Sequence, residues 1–140
     1  MAKNYDPKQV AVIIGGHIVG GYADGTFVSI ERNRDAFSLS VGADGEGARA
    51  KSNDKSGRIT ITLQQSSASN DVLSGYATND ELNNGGQVPA LVKDNNGSSL
   101  AEAVTAWVVK KPAMSFGNEI ETREWIIESD DMDILVGGLD

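Results

Sequence analysis

Arg58-Ile59-Thr60-Ile61-Thr62-Leu63, followed after Gln64-Gln65-Ser66 by Ser67-Ala68-Ser69-Asn70-Asp71-Val72-Leu73, is the stretch that decides the fold. In its first part apolar side chains take every second position, the period of a strand with one buried and one polar face. In its second part Ser67 is placed to cap a helix, and Asp71 puts negative charge in an early turn, where the helix dipole favours it. Val72, Leu73, Tyr76 and Ala77 share one face of that helix, which can pack on a sheet, and Asn83-Asn84-Gly85-Gly86 ends it. The expected helix therefore covers about 67–83.

Upstream, Val10, Val12 and Ile14 alternate with Ala11 and Ile13, so Gln9 to Ile14 reads as a strand apolar on both faces. A polar arm, residues 1–8 with Pro7, precedes it and is expected to be flexible. Gly15-Gly16 and Gly20-Gly21 bracket His17-Ile18-Val19 as bends, Asp24-Gly25 is a turn signal, and Thr26 to Ile30 resumes a strand. Phe37, Leu39 and Val41 then share one face of a further strand, with Ser38 and Ser40 on the other.

From Gly42 to Gly57 no apolar residue is larger than alanine, so 42–57 reads as one long loop, and long loops in small domains are commonly functional. Arg49, Lys51, Lys55 and the adjoining Arg58 place four of the twelve basic residues there. Downstream, Val88 to Lys93 reads as a strand and Leu100 to Val109 as another. Glu119 to Glu128 carries Trp125, Ile126 and Ile127 among acids, Met132 to Val136 forms a last strand, and 137–140 is a small mobile tail. Eight of the twenty acidic residues lie from Glu119 onward. Many short strands with Gly, Asn and Asp turns, plus one helix, predict a mainly β chain: a single β-sandwich or barrel domain, 1–140, with a flanking helix.

The bulk properties exclude several functions. A net charge of -8 works against a groove that holds nucleic acid by phosphate neutralisation. Zero cysteines remove disulfides, thiolate metal sites and cysteine nucleophiles together. The opening residues lack the apolar core of an export signal, and no run is long enough to span a bilayer, so no membrane anchor is expected. The expectation is therefore a protein made and used in the cytoplasm, or released without the usual export route.

Motifs that carry chemistry fare poorly. Gly15-Gly16-His17-Ile18-Val19-Gly20-Gly21 follows a strand, but its spacing differs from the dinucleotide fingerprint and strand-like sequence follows it. His17 is the single histidine and has no nucleophile elbow to serve. Asp130, Asp131 and Asp133 lack the pattern of a calcium loop, and Asp44 and Glu46 have no partner for paired-acid chemistry. Asn96-Gly97-Ser98 matches a glycosylation sequon without secretion to give it meaning. Trp107 and Trp125 lie on strands, where an aromatic belongs to the core more often than to a sugar platform. The residues thus predict no enzyme, no cofactor and no metal. What remains is electrostatic: a basic loop on an acidic chain, able to meet carboxylates of another copy and direct head-to-tail association.

Taken together, Gly15-Gly16-His17-Ile18, Gly21-Tyr22-Ala23-Asp24-Gly25, Val41-Gly42-Ala43-Asp44-Gly45-Glu46, Arg49-Ala50-Lys51-Ser52-Asn53-Asp54, Thr60-Ile61-Thr62-Leu63, Ser69-Asn70-Asp71-Val72-Leu73, Arg123-Glu124-Trp125 and Val136-Gly137-Gly138 resemble the tail tube proteins of contractile-tailed bacteriophages. That family is related in fold to pyocin tubes and to the tube of type VI secretion. The resemblance runs through nearly the whole chain in order and spacing. It implies a β-sandwich subunit forming stacked hexameric rings, with an inter-subunit β-barrel lining a hollow tube. It also implies a virion protein, assembled in the host bacterial cytoplasm. Its partners would be further copies of itself, the tail sheath protein, the baseplate and tail terminator proteins, and, transiently in the lumen, the tape measure protein and double-stranded DNA. By the same resemblance 42–57 matches a loop that reaches the neighbouring ring, the helix faces the outer wall, and Asp44, Glu46, Arg49, Lys51, Lys55 and Arg58 are the candidate contact residues. The competing readings are the tube of a bacteriocin or secretion-like device, and a carbohydrate-binding decoration module using Trp107 or Trp125.

Overall fold

A computed structural model of the chain describes residues 2–140. After a short 3-10 turn, Pro7–Gln9, ten strands and one helix follow: β1 Val10–Ile14, β2 His17–Ile18, β3 Val28–Arg32, β4 Phe37–Val41, β5 Gly47–Lys51, β6 Gly57–Gln64, α1 Ser69–Asn83, β7 Val88–Asp94, β8 Leu100–Lys110, β9 Thr122–Ser129 and β10 Asp133–Leu135. Eight strands form one sheet in the order β2-β1-β7-β8-β9-β6-β3, with β10 on β8, and β4 and β5 make a separate two-stranded sheet. The chain is mainly β with one helix, as expected; the main sheet stays open at β2 and β3 and closes no barrel within the chain.

The alternation at Arg58 to Leu63 sets the centre of the molecule. Ile59, Ile61 and Leu63 are fully buried, while Arg58, Thr60 and Thr62 face the other way. Across β9, Ile59 pairs with Ile127 and Ile61 with Trp125, so two apolar ladders meet at the same face. Val12, Ile14, Val92 and Ala101 approach from the other part of the sheet and complete one core with Leu73 and Ala77 of α1. Each fully buried isoleucine here contributes about 1.5–3 kcal/mol of transfer free energy. Cutting Ile61 to alanine would cost about 2–5 kcal/mol, because the surrounding strands cannot collapse into the gap.

β8 is the hinge of this arrangement. Its first part, at Leu100, Ala101 and Glu102, lies between β7 and β10; its later part, from Ala106, pairs with β9. Register shifts between Val88 and Ala90 and between Val108 and Lys110 bend the sheet there, as bulges do. Strand composition therefore prevails over the helix-compatible Ala101-Glu102-Ala103 throughout Leu100–Lys110.

The helix begins two residues later than expected. Ala68 occupies the cap position without a side-chain cap bond. Ser67 instead accepts from Ser69 N–H at 3.2 Å and donates its hydroxyl to Gly20 O at 2.6 Å, so it fastens the helix start to the chain after β2. At the other end Asn84 takes the left-handed conformation at φ 54° and its N–H donates to Asp80 O, which ends the helix as read.

Three expectations change. The stretch 42–57 is no single loop: β5 fills Gly47–Lys51 and pairs with β4, Val41 opposite Gly47 and Phe37 opposite Lys51. Its turn is held by Gly45 N–H to Gly42 O at 3.0 Å, Gly42 N–H to Glu46 O at 2.8 Å, and Gly45 at φ 85°. Alanines alternating with Arg49 and Lys51 carry no buried face, so hydrophobic periodicity had nothing to report. Second, the arm expected to be loose is tied down, with Asp6 N–H donating to Asn96 Oδ1 and Asn96 Nδ2 donating to Asp6 O, both at 3.0 Å. Third, the tail expected to be mobile docks on the same turn: Asp140 N–H donates to Asn96 O and Ser98 N–H to Gly138 O. Met1 lies outside the described residues.

Candidate assembly site

The hairpin β4–β5 stands apart from the core, with all of its strand residues exposed. Cross-strand partners share a face, so Phe37 sits beside Lys51, Leu39 beside Arg49, and Val41 beside Gly47. That face is apolar and cationic at once: Phe37, Leu39 and Val41 are 45%, 74% and 60% exposed, and the Arg49 guanidinium lies 4.2 Å from the Phe37 ring centroid. The opposite face carries only Ser38, Ser40, Ala48 and Ala50.

The six candidate residues separate into three places. Asp44 and Glu46 are at the hairpin tip, where Asp44 Oδ1 accepts from Glu46 N–H at 3.1 Å and shapes the turn. Arg49 and Lys51 lie on the shaft. Lys55 has returned to the body, where its carbonyl accepts from Met132 N–H at 3.0 Å. Arg58 is in β6 and its guanidinium is engaged by Glu128 at 2.7 Å, so it is not part of the hairpin's charge.

The base of the hairpin is stitched to the body. Arg34 meets Asp54 at 3.2 Å, Ser52 N–H donates to Ala36 O at 2.8 Å, and Asn33 N–H donates to Ser56 O at 3.1 Å. Hydrogen bonds from the Ser56 hydroxyl and amide, with help from Arg34, hold the Asp54 carboxyl below its ordinary value. The root is thus ordered while the shaft has no partner of its own among the described residues.

Other residues singled out in the sequence are placed structurally. His17 shares its Nε2 with Ser69 Oγ at 2.9 Å, which also accepts from Gly20 N–H at 3.1 Å. Trp125 is buried, its indole N–H donating to Asn70 Oδ1, while Trp107 is half-buried opposite Glu128. The signal in the sequence for this hairpin is Asp44-Gly45, the same turn dipeptide as Asp24-Gly25, here with Gly45 at φ 85°.

A family model described as bacteriophage PhiTE tail tube protein matches residues 11–137. The chain belongs to this tail tube family. The structural protein ORF10 of Pseudomonas phage KPP10 is 33% identical over 142 residues, covering 96% of this chain and 82% of that protein. Among solved structures, the sheath/tube terminator of the extracellular contractile injection system PVC superposes with a TM-score of 0.64 at 12% identity, covering 96% of this chain and 99% of that one. A chain of the PVC sheath-tube complex gives 0.64 at 13% identity, covering 94% and 91%. The cap of the anti-feeding prophage gives 0.61 at 12% identity, covering 96% and 93%. At these identities the likeness to the solved structures is one of fold. The resemblance read from the residues is borne out: this is a structural protein of a phage tail, a virion component of a family that is not enzymatic.

Proposed function

We propose that copies of this chain form hexameric rings that stack into the hollow inner tube of a contractile tail, through which double-stranded DNA leaves the particle. The sheath protein surrounds that tube, the baseplate and terminator proteins close its ends, and the tape measure protein occupies the lumen before DNA does. Assembly takes place in the host bacterial cytoplasm. Within the tube, β2 and β3 edges of adjacent copies continue one sheet into an inter-subunit barrel, which leaves no edge unpaired.

The observation that carries this reading is the hairpin. A two-stranded hairpin is marginal in water unless something covers it, and β4–β5 exposes three large apolar side chains on one face. A second copy supplies that cover, with Asp44, Glu46, Arg49 and Lys51 of the hairpin as contact candidates and Lys55 and Arg58, on the body, as candidates away from its shaft. Membership of a phage family supports the DNA-conducting tube over that of a bacteriocin or secretion-like device.

Negative-stain microscopy of the concentrated protein is the test, and hollow rods or six-fold rings are expected. Arg49, Lys51 and Lys55 changed together to Glu should leave a folded chain with weakened tube formation. A pure protein that remains solitary at every concentration would overturn the reading.

A further inference from the structure

The body of the molecule carries an open groove whose chemistry is the complement of the hairpin face. It runs over the outer side of β7 and β8 and past the turn before β10. Ile13, Leu91 and Val104 provide its apolar part, and Val104, on the solvent face of β8, leaves an apolar side chain 87% exposed. Glu102, Asp130, Asp131 and Asp133 provide its polar part, and all four are exposed.

Within the groove Asp133 lies directly opposite Glu102, with no residue between them in the register. Like charges facing each other across a strand pair are destabilising. The two ion pairs of the described residues, Arg34 with Asp54 and Arg58 with Glu128, both lie elsewhere. Lys55 meets this region through its backbone, by the bridge to Asp131, and the Arg32 guanidinium donates to the Met132 carbonyl at 2.8 Å, so neither cation is paired with a groove carboxylate. The groove therefore contains four carboxylates, none of them in an ion pair among the described residues, beside exposed aliphatic surface. The hairpin presents the reverse, two cations among three exposed apolar side chains.

We infer that the groove over β7, β8 and β10 is the receptor for the β4–β5 hairpin of a second copy, with Arg49 and Lys51 set against Glu102 and Asp133, and Leu39 and Val41 laid on Leu91 and Val104. This rests on the self-assembly reading above and names the surface that answers the hairpin. The contact is heterologous, because the two faces are different parts of the chain, so each copy offers one hairpin and one groove and the series continues from copy to copy. It also makes assembly salt-sensitive, since exposed opposite charges are screened.

Charge exchange tests it. The R49E/K51E protein should lose tubes, the E102K/D133K protein should lose them too, and one chain carrying all four changes should recover them, each compared by negative stain with circular dichroism confirming the fold. As the chain has no cysteine, Arg49→Cys and Glu102→Cys introduced together provide a second readout that does not depend on charge. Mild oxidation of the assembled material should give a ladder of covalent oligomers, and the dispersed protein should give none. If R49E/K51E abolishes tubes while E102K/D133K assembles like the parent, the hairpin is needed but this groove is not its receptor. Failure of the four-fold change to restore tubes, together with absence of the ladder, would overturn the pairing in the same way. Parent protein that forms no tubes at all would instead remove the self-assembly reading on which the pairing stands.

Discussion

The indole Nε1 of Trp125 donates to Oδ1 of Asn70 at 2.8 Å, joining the buried tryptophan of β9 to the first turn of α1. The same asparagine donates through Nδ2 to Gln64 O and to Ser67 O, each at 3.0 Å. One amide thereby satisfies the core indole, the end of β6 and the turn into the helix. Asn70→Ala leaves the buried indole N–H without its partner, while Gln64 O and Ser67 O keep the backbone N–H groups of Ser67 and Asn70, and one buried unpaired group costs about 1–3 kcal/mol. The unfolding free energy from urea titration should fall by that amount with tryptophan fluorescence as the probe; an unchanged value would show the linkage to be ornamental to stability.

The phenol of Tyr22 stands in the opposite condition. Its hydroxyl is buried without a protein hydrogen-bond partner, burial pushes its ionisation upward, and its ring packs on Phe27 at 4.6 Å. Tyr22→Phe keeps the ring contact and removes the unpaired polar atom. Thermal unfolding should show a melting temperature equal to or above that of the parent, whereas a loss of more than about 1 kcal/mol would mean that the hydroxyl is bonded in solution.

At the hairpin root the Asp54 carboxyl is held below its ordinary value, chiefly by Ser56 with a smaller contribution from Arg34. The lowered value means that the folded chain prefers the ionised form. Its contribution is whole above the ordinary carboxylate value and is lost as the pH falls through the lower folded one. Amide exchange at Ser52 and Ser56 should therefore accelerate at acid pH before the core amides of β6 do. Asp54→Asn should remove this pH dependence.

Gly97 approaches the Gly138 carbonyl so closely that a methyl group at position 97 would overlap it. Gly97→Ala should detach the docked segment 137–140 while leaving the sheet intact. Limited proteolysis would then release the C-terminal residues sooner, with the far-ultraviolet spectrum unchanged.

The hairpin's apolar face separates stability from assembly. Leu39→Ser alters a side chain that is 74% exposed and touches no core, so the unfolding free energy of the dispersed protein should move by less than about 0.5 kcal/mol. Light scattering of concentrated protein should nevertheless show a marked delay in association. A variant that associates at the parental rate would leave this face without a role.

Local pattern determined a good part of this protein. Ile59, Ile61 and Leu63 announce a one-sided strand, Asn70 and Asp71 open a helix that Asn84 closes, and the order of motifs along the chain carries the tail tube resemblance; each depends on neighbours in sequence, where period and capping act. Tertiary structure alone decided that Arg49 and Lys51 stand on a projecting hairpin while Lys55 and Arg58 return to the body, and that Glu102 faces Asp133 across β8 and β10. The reason is physical: Ala48, Arg49, Ala50 and Lys51 bury nothing, so they leave no apolar period to read. The pairing of β8 with β10 joins residues that only the bent sheet brings together.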